Sequence, residues 1–241
     1  MSNARNLADA ETRFVNASGD TVSGNLVVNA NVGIGTSSPT TITNYSSLTL
    51  DGTSGGILDL RGGGTLGARI VGTASSMALE TGGAAPMSFW TNNVQRMAID
   101  SAGRVTMPYQ PAFRVKQSTS KTYSGNGDIV EHDTAQLNVG GHYSTSTYRF
   151  TTPVSGVYLF AWGHLVQTKN GSGSVYSNVW INGTRLYPQA WHLNSSGSYT
   201  MTYSAVFYMN VGDYAEHRVS STDTSYSLYH EETGFSGYLL G

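Results

Sequence analysis

The stretch YSTSTYRFTTPVSGVYLFAW, Tyr143–Trp162, decides how this 241-residue chain is read. In its last six residues the aromatic side chains Tyr158, Phe160 and Trp162 alternate with Val157, Leu159 and Ala161. A period of two puts the three rings on one face of a β-strand. Rings that large, sharing one face, belong to a core before they belong to a binding platform. A second alternation runs through Tyr203–Met209, YSAVFYM. Several such segments at short spacing, separated by Gly, Asn and Ser, predict a β-sandwich or jelly roll.

Outward from that stretch, the chain changes character near Ala112. Before it stand five aromatics, Phe14, Tyr45, Phe89, Trp90 and Tyr109; after it stand 21, together with all six histidines. The second part therefore holds the material of a globular core, and the first does not. The charge balance is 13 basic against 15 acidic residues, so no basic excess points to nucleic acid. Cysteine is absent, which excludes disulfides and thiolate metal sites. The opening MSNARNLADAETRF lacks the apolar run of a signal peptide. No later stretch has the roughly 18 apolar residues of a membrane span.

The first part has an order of its own. Apolar pairs at i and i+2 recur as Leu48/Leu50, Leu58/Leu60, Ala68/Ile70, Met77/Leu79, Met87/Phe89, Met97/Ile99 and Val105/Met107. Turn signals lie between them, among them Asp51-Gly52, Gly62-Gly63-Gly64, Gly82-Gly83 and Asn92-Asn93. A strand offering two apolar side chains cannot build a core alone. An even repeat of such strands reads as an array that buries its faces on neighbours, and three chains around one axis would supply them. An ordinary small β-domain with irregular hairpins is the other reading. Within Ala4–Phe14, Leu7, Ala10 and Phe14 fall roughly on one face of a short helix or arm.

Three phrases of this part, GDTVSGNLVV (19–28), NVGIGTSSPT (31–40) and PMSFWTNNVQRMAIDSAGRVTM (86–107), resemble bacteriophage tail-fibre proteins. That resemblance implies a trimeric shaft of short β-strands. In the second part, the spacing of Tyr143, Phe150, Gly156, Tyr158 and Phe160 resembles the globular heads related to complement component 1q, which are akin to the tumour necrosis factor jelly roll. Asn138 falls at that family's Asn/Asp position. The family's leading Phe is His132 here, and its trailing aromatic is Trp162. VWINGTRL (179–186), NVGD (210–213) and TGFSGYLL (233–240) follow in the family's order. The expected fold is all-β: an N-terminal arm over 1–28, a trimeric β-shaft over 29–111 and a jelly-roll head over 112–241.

Chemistry has few footholds. Asp128, Glu131, His132 and Asp133 cluster in GDIVEHDT, and His230, Glu231 and Glu232 near the end. Paired carboxylates could cleave a glycosidic bond, but solvated loop charges account for both clusters. No Gly-x-Ser-x-Gly elbow is present. No two histidines stand at His-x-His or His-x3-His spacing, so no metal or other cofactor is expected, although a trimer axis can gather one histidine from each chain. The expected function is a homotrimeric phage tail fibre in the virion that attaches it to the host surface. Its partners would be tail or baseplate proteins at the N-terminus and a host glycan or protein at the head, with neither nucleic acid nor membrane insertion. An enzymatic tailspike degrading host polysaccharide, or a structural fibre whose head only locks the trimer, are the alternatives. The jelly-roll resemblance implies that loops far from the shaft lie within Thr119–Asp128, Thr168–Ser174, Leu193–Ser198 and Ser220–Thr233. They are rich in Ser, Asn, Gly and Tyr, a mixture suited to polar recognition. The receptor-binding candidates are Tyr123, Asn126, Lys169, Asn170, Asn194, Tyr226 and Tyr229.

Overall fold

The computed structural model describes residues 32–34, 40–41, 43, 46–171, 173–185, 190–192, 198–222 and 225–241. Among them every regular element is a strand. The arm expected over 1–28, with its short helix, lies outside the described residues, as does Asn194. The chain divides into two compact units, residues 1–87 with 100–102 and residues 88–99 with 103–241.

In the first unit, β1 (Val32–Ile34) pairs in parallel with β2 (Leu48–Leu50). Strands β3 (Gly56–Gly62), β4 (Thr65–Gly72) and β5 (Met77–Thr81) form an antiparallel meander. Register aligns Leu58, Ile70 and Leu79 across the three strands, so they share one face. On the opposite face Asp59, Arg69 and Glu80 align as an ion-paired row. The apolar row remains exposed within a single chain: Leu58 is 39%, Ile70 43% and Leu79 47% accessible. The repeated pairs thus mark real strands with a common apolar face that this sheet cannot cover itself.

In the second unit, β6 (Met87–Thr91), β7 (Val94–Ile99) and β8 (Val105–Thr106) form a small sheet. The Asn92-Asn93 turn between β6 and β7 has both residues at positive φ, 50° and 59°, the type I′ geometry of a two-residue hairpin. Of β7, Ala98 is buried while the expected seam residues Met97 and Ile99 are half-buried.

The head follows, with β9 (Ala112–Lys116), β10 (Lys121–Tyr123), β11 (Asn126–Ile129), β12 (Thr134–Val139), β13 (Tyr143–Ser144) and β14 (Arg149–Thr151). It continues with β15 (Gly156–Asn170), β16 (Val175–Ile181), β17 (Thr184–Arg185), β18 (Ala190–His192), β19 (Tyr199–Met209), β20 (Tyr214–Ser221) and β21 (Ser225–Leu239). One sheet runs β12-β9-β21-β15-β19 with β10 on β21. The other runs β13-β14-β20-β16-β17 with β11 on β20 and β18 on β16. All pairings are antiparallel, giving the two-layer sandwich expected from the alternation. The Asn182-Gly183 turn has φ of 50° and 74°, as a type I′ hairpin requires.

Phe113, Phe150, Tyr158, Phe160, Trp162 and Phe235 fill one end of the core. Phe113 stacks on Phe150 at 4.8 Å and meets Phe235 edge-on at 4.9 Å. Gly237 makes this possible: a Cβ there would lie 2.5 Å from Phe113 and 2.7 Å from Phe160. A second apolar cluster, with Tyr123, Val130, Val166, Val175, Met201, Val219, Tyr226 and Leu228, fills the other end. Ala112 pairs with Tyr238, and Leu239 N donates to Pro111 O, so β9 begins and β21 ends at the first of these ends. That end is called the base, and the opposite one the rim.

Candidate functional site

The rim gathers the ends of six strands. Tyr123 pairs with Tyr226, Lys169 with Tyr226, Asn170 with Ser225, and Asn126 with Ser220. Tyr123, Asn126, Lys169, Asn170 and Tyr226, far apart in sequence, therefore converge there. Hydrogen bonds tie the rim together. Asn170 Nδ2 donates to Ser225 Oγ at 2.9 Å, Ser174 N donates to Thr222 Oγ1 at 2.9 Å, and Lys169 Nζ bonds Gly173 O. Gly125 N donates to Asp128 Oδ2 at 2.7 Å, closing the β10–β11 turn. What remains exposed is polar: Ser124, Asn126, Thr168, Asn170 and Thr222.

Two of the expected receptor contacts are corrected. Tyr123 and Tyr226 point inward and are 6% and 1% accessible, with their rings stacked at 5.9 Å. Ser220–Thr233, expected as a loop, is largely strand, and strand alternation sends every second side chain into the core. Tyr226 is thus a wall of the rim and not a contact. Tyr229 lies further along β21, paired with Leu165, and its hydroxyl donates to Glu231 Oε2 at 2.8 Å. The Tyr226 hydroxyl is buried without a hydrogen-bond partner, so Tyr226→Phe should leave the melting temperature equal or raised. Tyr226→Ala should cost about 3–5 kcal/mol as a cavity. Paired thermal melts check both.

The acidic clusters have local partners. Lys121 Nζ contacts Glu131 at 2.7 Å and Asp133 at 3.1 Å. Asp133 also accepts from Ser118 N and Ser118 Oγ. Burial would raise the Asp133 pKa, but hydrogen bonds from Ser118 and Lys121 outweigh it and hold it down at about 2. His230 Nδ1 lies 3.2 Å from Ser120 Oγ. Lys121 and Ser118 thus anchor Glu131 and Asp133 in place.

The sequence reading missed a polar layer between the two apolar clusters. Gln117 just after β9, His164 on β15, Ser177 on β16, His217 on β20, Thr233 on β21 and His132 before β12 are all buried in the head. His132 Nε2 lies 3.0 Å from His217 Nδ1, and His217 Nε2 lies 2.9 Å from Ser177 Oγ. His164 stacks on His217 at 5.8 Å, with neither ring nitrogen hydrogen-bonded. The Ser177–His217–His132 chain has the spacing of a nucleophile, base and orienter. The serine nevertheless faces the core, where no substrate carbonyl reaches it. Burial pushes the pKa of His132 and His164 down to about 3, and that of His217 well below its ordinary value. Two signals were present: His132 in place of the family's Phe, and His164 interrupting the alternation after Trp162. Among the described residues no cluster of His, Asp or Glu has metal-binding geometry.

The outward faces of the two sheets differ. Across the first runs an apolar row in register, Val139, Ala112, Tyr238, Leu159 and Val206. Tyr238 is 40% and Val206 54% accessible. A shallow pocket of about 250 Å³ beside it is lined by Leu137, Leu159, Ala161 and Tyr238 among others. On the second sheet, Glu216 is buried between two arginines. Arg149 Nε donates to Oε2 at 2.8 Å and Arg218 Nε to Oε1 at 2.6 Å. Arg149 packs over Tyr214 and Arg218 over Trp180. This face satisfies its own charges.

Comparison with known proteins gave one family match: the model described as C1q domain matches residues 112–240. No curated protein matches the chain. Among solved structures, the globular domain of zebrafish complement 1qA protein is 20% identical, with a TM-score of 0.43, covering 55% of this chain and 98% of its own. Eiger TNF from S. frugiperda is 11% identical, with a TM-score of 0.44, covering 54% and 91%. Murine APRIL, crystallised at pH 5.0, is 14% identical, with a TM-score of 0.43, covering 54% and 99%.

Proposed function

We propose, from the premise that the chain belongs to the C1q domain family through residues 112–240, that it is a homotrimeric fibre protein whose head is a binding module. The reading extends to a phage tail fibre in the virion: residues 1–28 attach to tail or baseplate proteins, the strands of 29–111 form the shaft, and the head meets the host surface. The resemblance of residues 19–107 to tail-fibre phrases supports the phage setting.

One observation carries the trimer. Two separate apolar rows leave large side chains exposed in a single chain: Leu58, Ile70 and Leu79 in one, and Tyr238 and Val206 on either side of the half-buried Leu159 in the other. Identical copies supply matched apolar faces to both, which is the logic of a closed symmetric assembly. The rim is the end of the head opposite Pro111, and in this reading it is the end that meets the host. Three polar rims presented together raise the avidity of weak individual sites.

The test is adsorption to host cells. Asn126→Ala combined with Asn170→Ala removes polar contacts each worth about 1 kcal/mol, so adsorption should fall about tenfold or more through avidity, with trimers intact by light scattering. Unchanged adsorption would move the receptor site away from the rim. Release of reducing ends from host polysaccharide would favour an enzymatic spike.

A further inference from the structure

The histidine layer crosses the whole head. Along β15 the inward residues run Tyr158, Phe160, Trp162, His164, Val166; along β20, Ala215, His217, Val219; along β16, Val179, Ser177, Val175. In each strand the polar residue separates the base cluster from the rim cluster. The layer also coincides with a break in pairing. Gly163 pairs with Gly234 and Leu165 with Tyr229, so residues 230–233 bulge opposite His164.

We propose that this layer is an acid-sensitive release: proton uptake by the buried histidines parts the two sheets there and loosens the rim half of the head while the base half stays packed. The proposal does not depend on the receptor reading. It rests on the surroundings of the three rings. Ser177 bonds His217 from β16 and Phe235 flanks His132 and His217, and the buried Gln117 after β9, Thr233 on β21 and Trp162 on β15 are likewise uncharged. Among the groups acting on the rings, Asp133 alone favours a proton, on His132; Lys121 and the neighbouring histidines oppose it. Glu216 sits on the outer face of its sheet and is committed to Arg149 and Arg218.

While neutral, His132, His217 and Ser177 form a continuous hydrogen-bond chain in which each imidazole has one proton to give. A first added proton buries a charge without a counter-ion. A proton on both His132 and His217 sets donor against donor across their 3.0 Å contact. Among the described residues the rim cluster holds eight buried apolar side chains against twelve at the base, so the rim half yields first.

The sign of the pH dependence follows. These histidines bind protons more weakly folded than unfolded, so their contribution is complete above about 6.5 and is lost as pH falls toward about 3. Each excluded proton lowers the folded-to-unfolded ratio by about tenfold per pH unit in that window. Asp133 loses its contribution lower, between its ordinary 3.8 and about 2. Measurements from pH 7.5 to about 4.5 therefore isolate the histidines.

The experiment is a calorimetric melt of the full chain across that range, beside His164→Leu and a His142→Gln control. Since nothing is hydrogen-bonded to His164, leucine strands no partner. The expected result is a midpoint that falls with acid in the native chain and in His142→Gln, and falls less in His164→Leu. A midpoint independent of pH, or equal slopes in all three, would overturn the proposal. Should His164→Leu not fold, hydrogen exchange on the native chain, corrected for intrinsic rate, decides instead. Acid should strip protection from 217–222 and 225–228 before 112–116 and 156–161, whereas uniform loss would overturn it.

Discussion

Replacing Phe235 by alanine lowers the head's melting midpoint by roughly 10–20 °C, the equivalent of about 3–5 kcal/mol in a domain of this size. Phe235 is 1% accessible and touches more of the core than its own strand. Its ring lies 4.9 Å from Phe113, 5.7 Å from Phe160 and 6.5 Å from Tyr143, joining both sheets. It also flanks His132 and His217 at 6.1 Å. Truncation therefore leaves a cavity, removes aromatic contacts worth about 0.5–1.5 kcal/mol each, and opens the polar layer on its base side. Phe235→Leu keeps most of the volume and should cost about half as much. Calorimetry on the three proteins at pH 7.5 provides the check. Equal midpoints for native and Phe235→Ala would mean that this ring is not central to the core.

Val206→Asp has a comparable effect on assembly and little on the fold. Val206 is 54% accessible in the single chain, so the monomer keeps its carboxylate in water. In the proposed trimer the same residue ends the Tyr238/Leu159/Val206 row, and a carboxylate there is withdrawn from water without a partner. That costs several kcal/mol at each interface, and each 1.4 kcal/mol shifts association about tenfold. Light scattering on residues 112–241 should show native trimers, and Val206→Asp monomers with an unchanged β-sheet spectrum. Val206→Thr, similar in shape and uncharged, should remain largely trimeric. A trimeric Val206→Asp would place the contact elsewhere on the head.

Local patterning was enough to read many of the strands of this protein. A strand's side chains alternate by steric necessity, so the evenly spaced pairs from Leu48 to Met107 marked strands, and the rings of Tyr158, Phe160 and Trp162 marked a strand and its inner face. Asn92-Asn93 marked a turn, and the structure makes it and Asn182-Gly183 I′ hairpins, with positive φ at all four positions. Register was beyond such reading, since it depends on which strands pair. Only register turned Leu58, Ile70 and Leu79 into one row, and ran β21 through the supposed loop so that Tyr226 faced inward. The histidine layer lay furthest out of reach. His132, His164 and His217 sit on three separate segments, and nothing in their spacing shows that one level of the sandwich brings their rings within hydrogen-bonding and stacking distance. Burial is a property of the packed pair of sheets, and it is burial that lowers the proton affinity of these three histidines and so ties the stability of the head to their staying neutral.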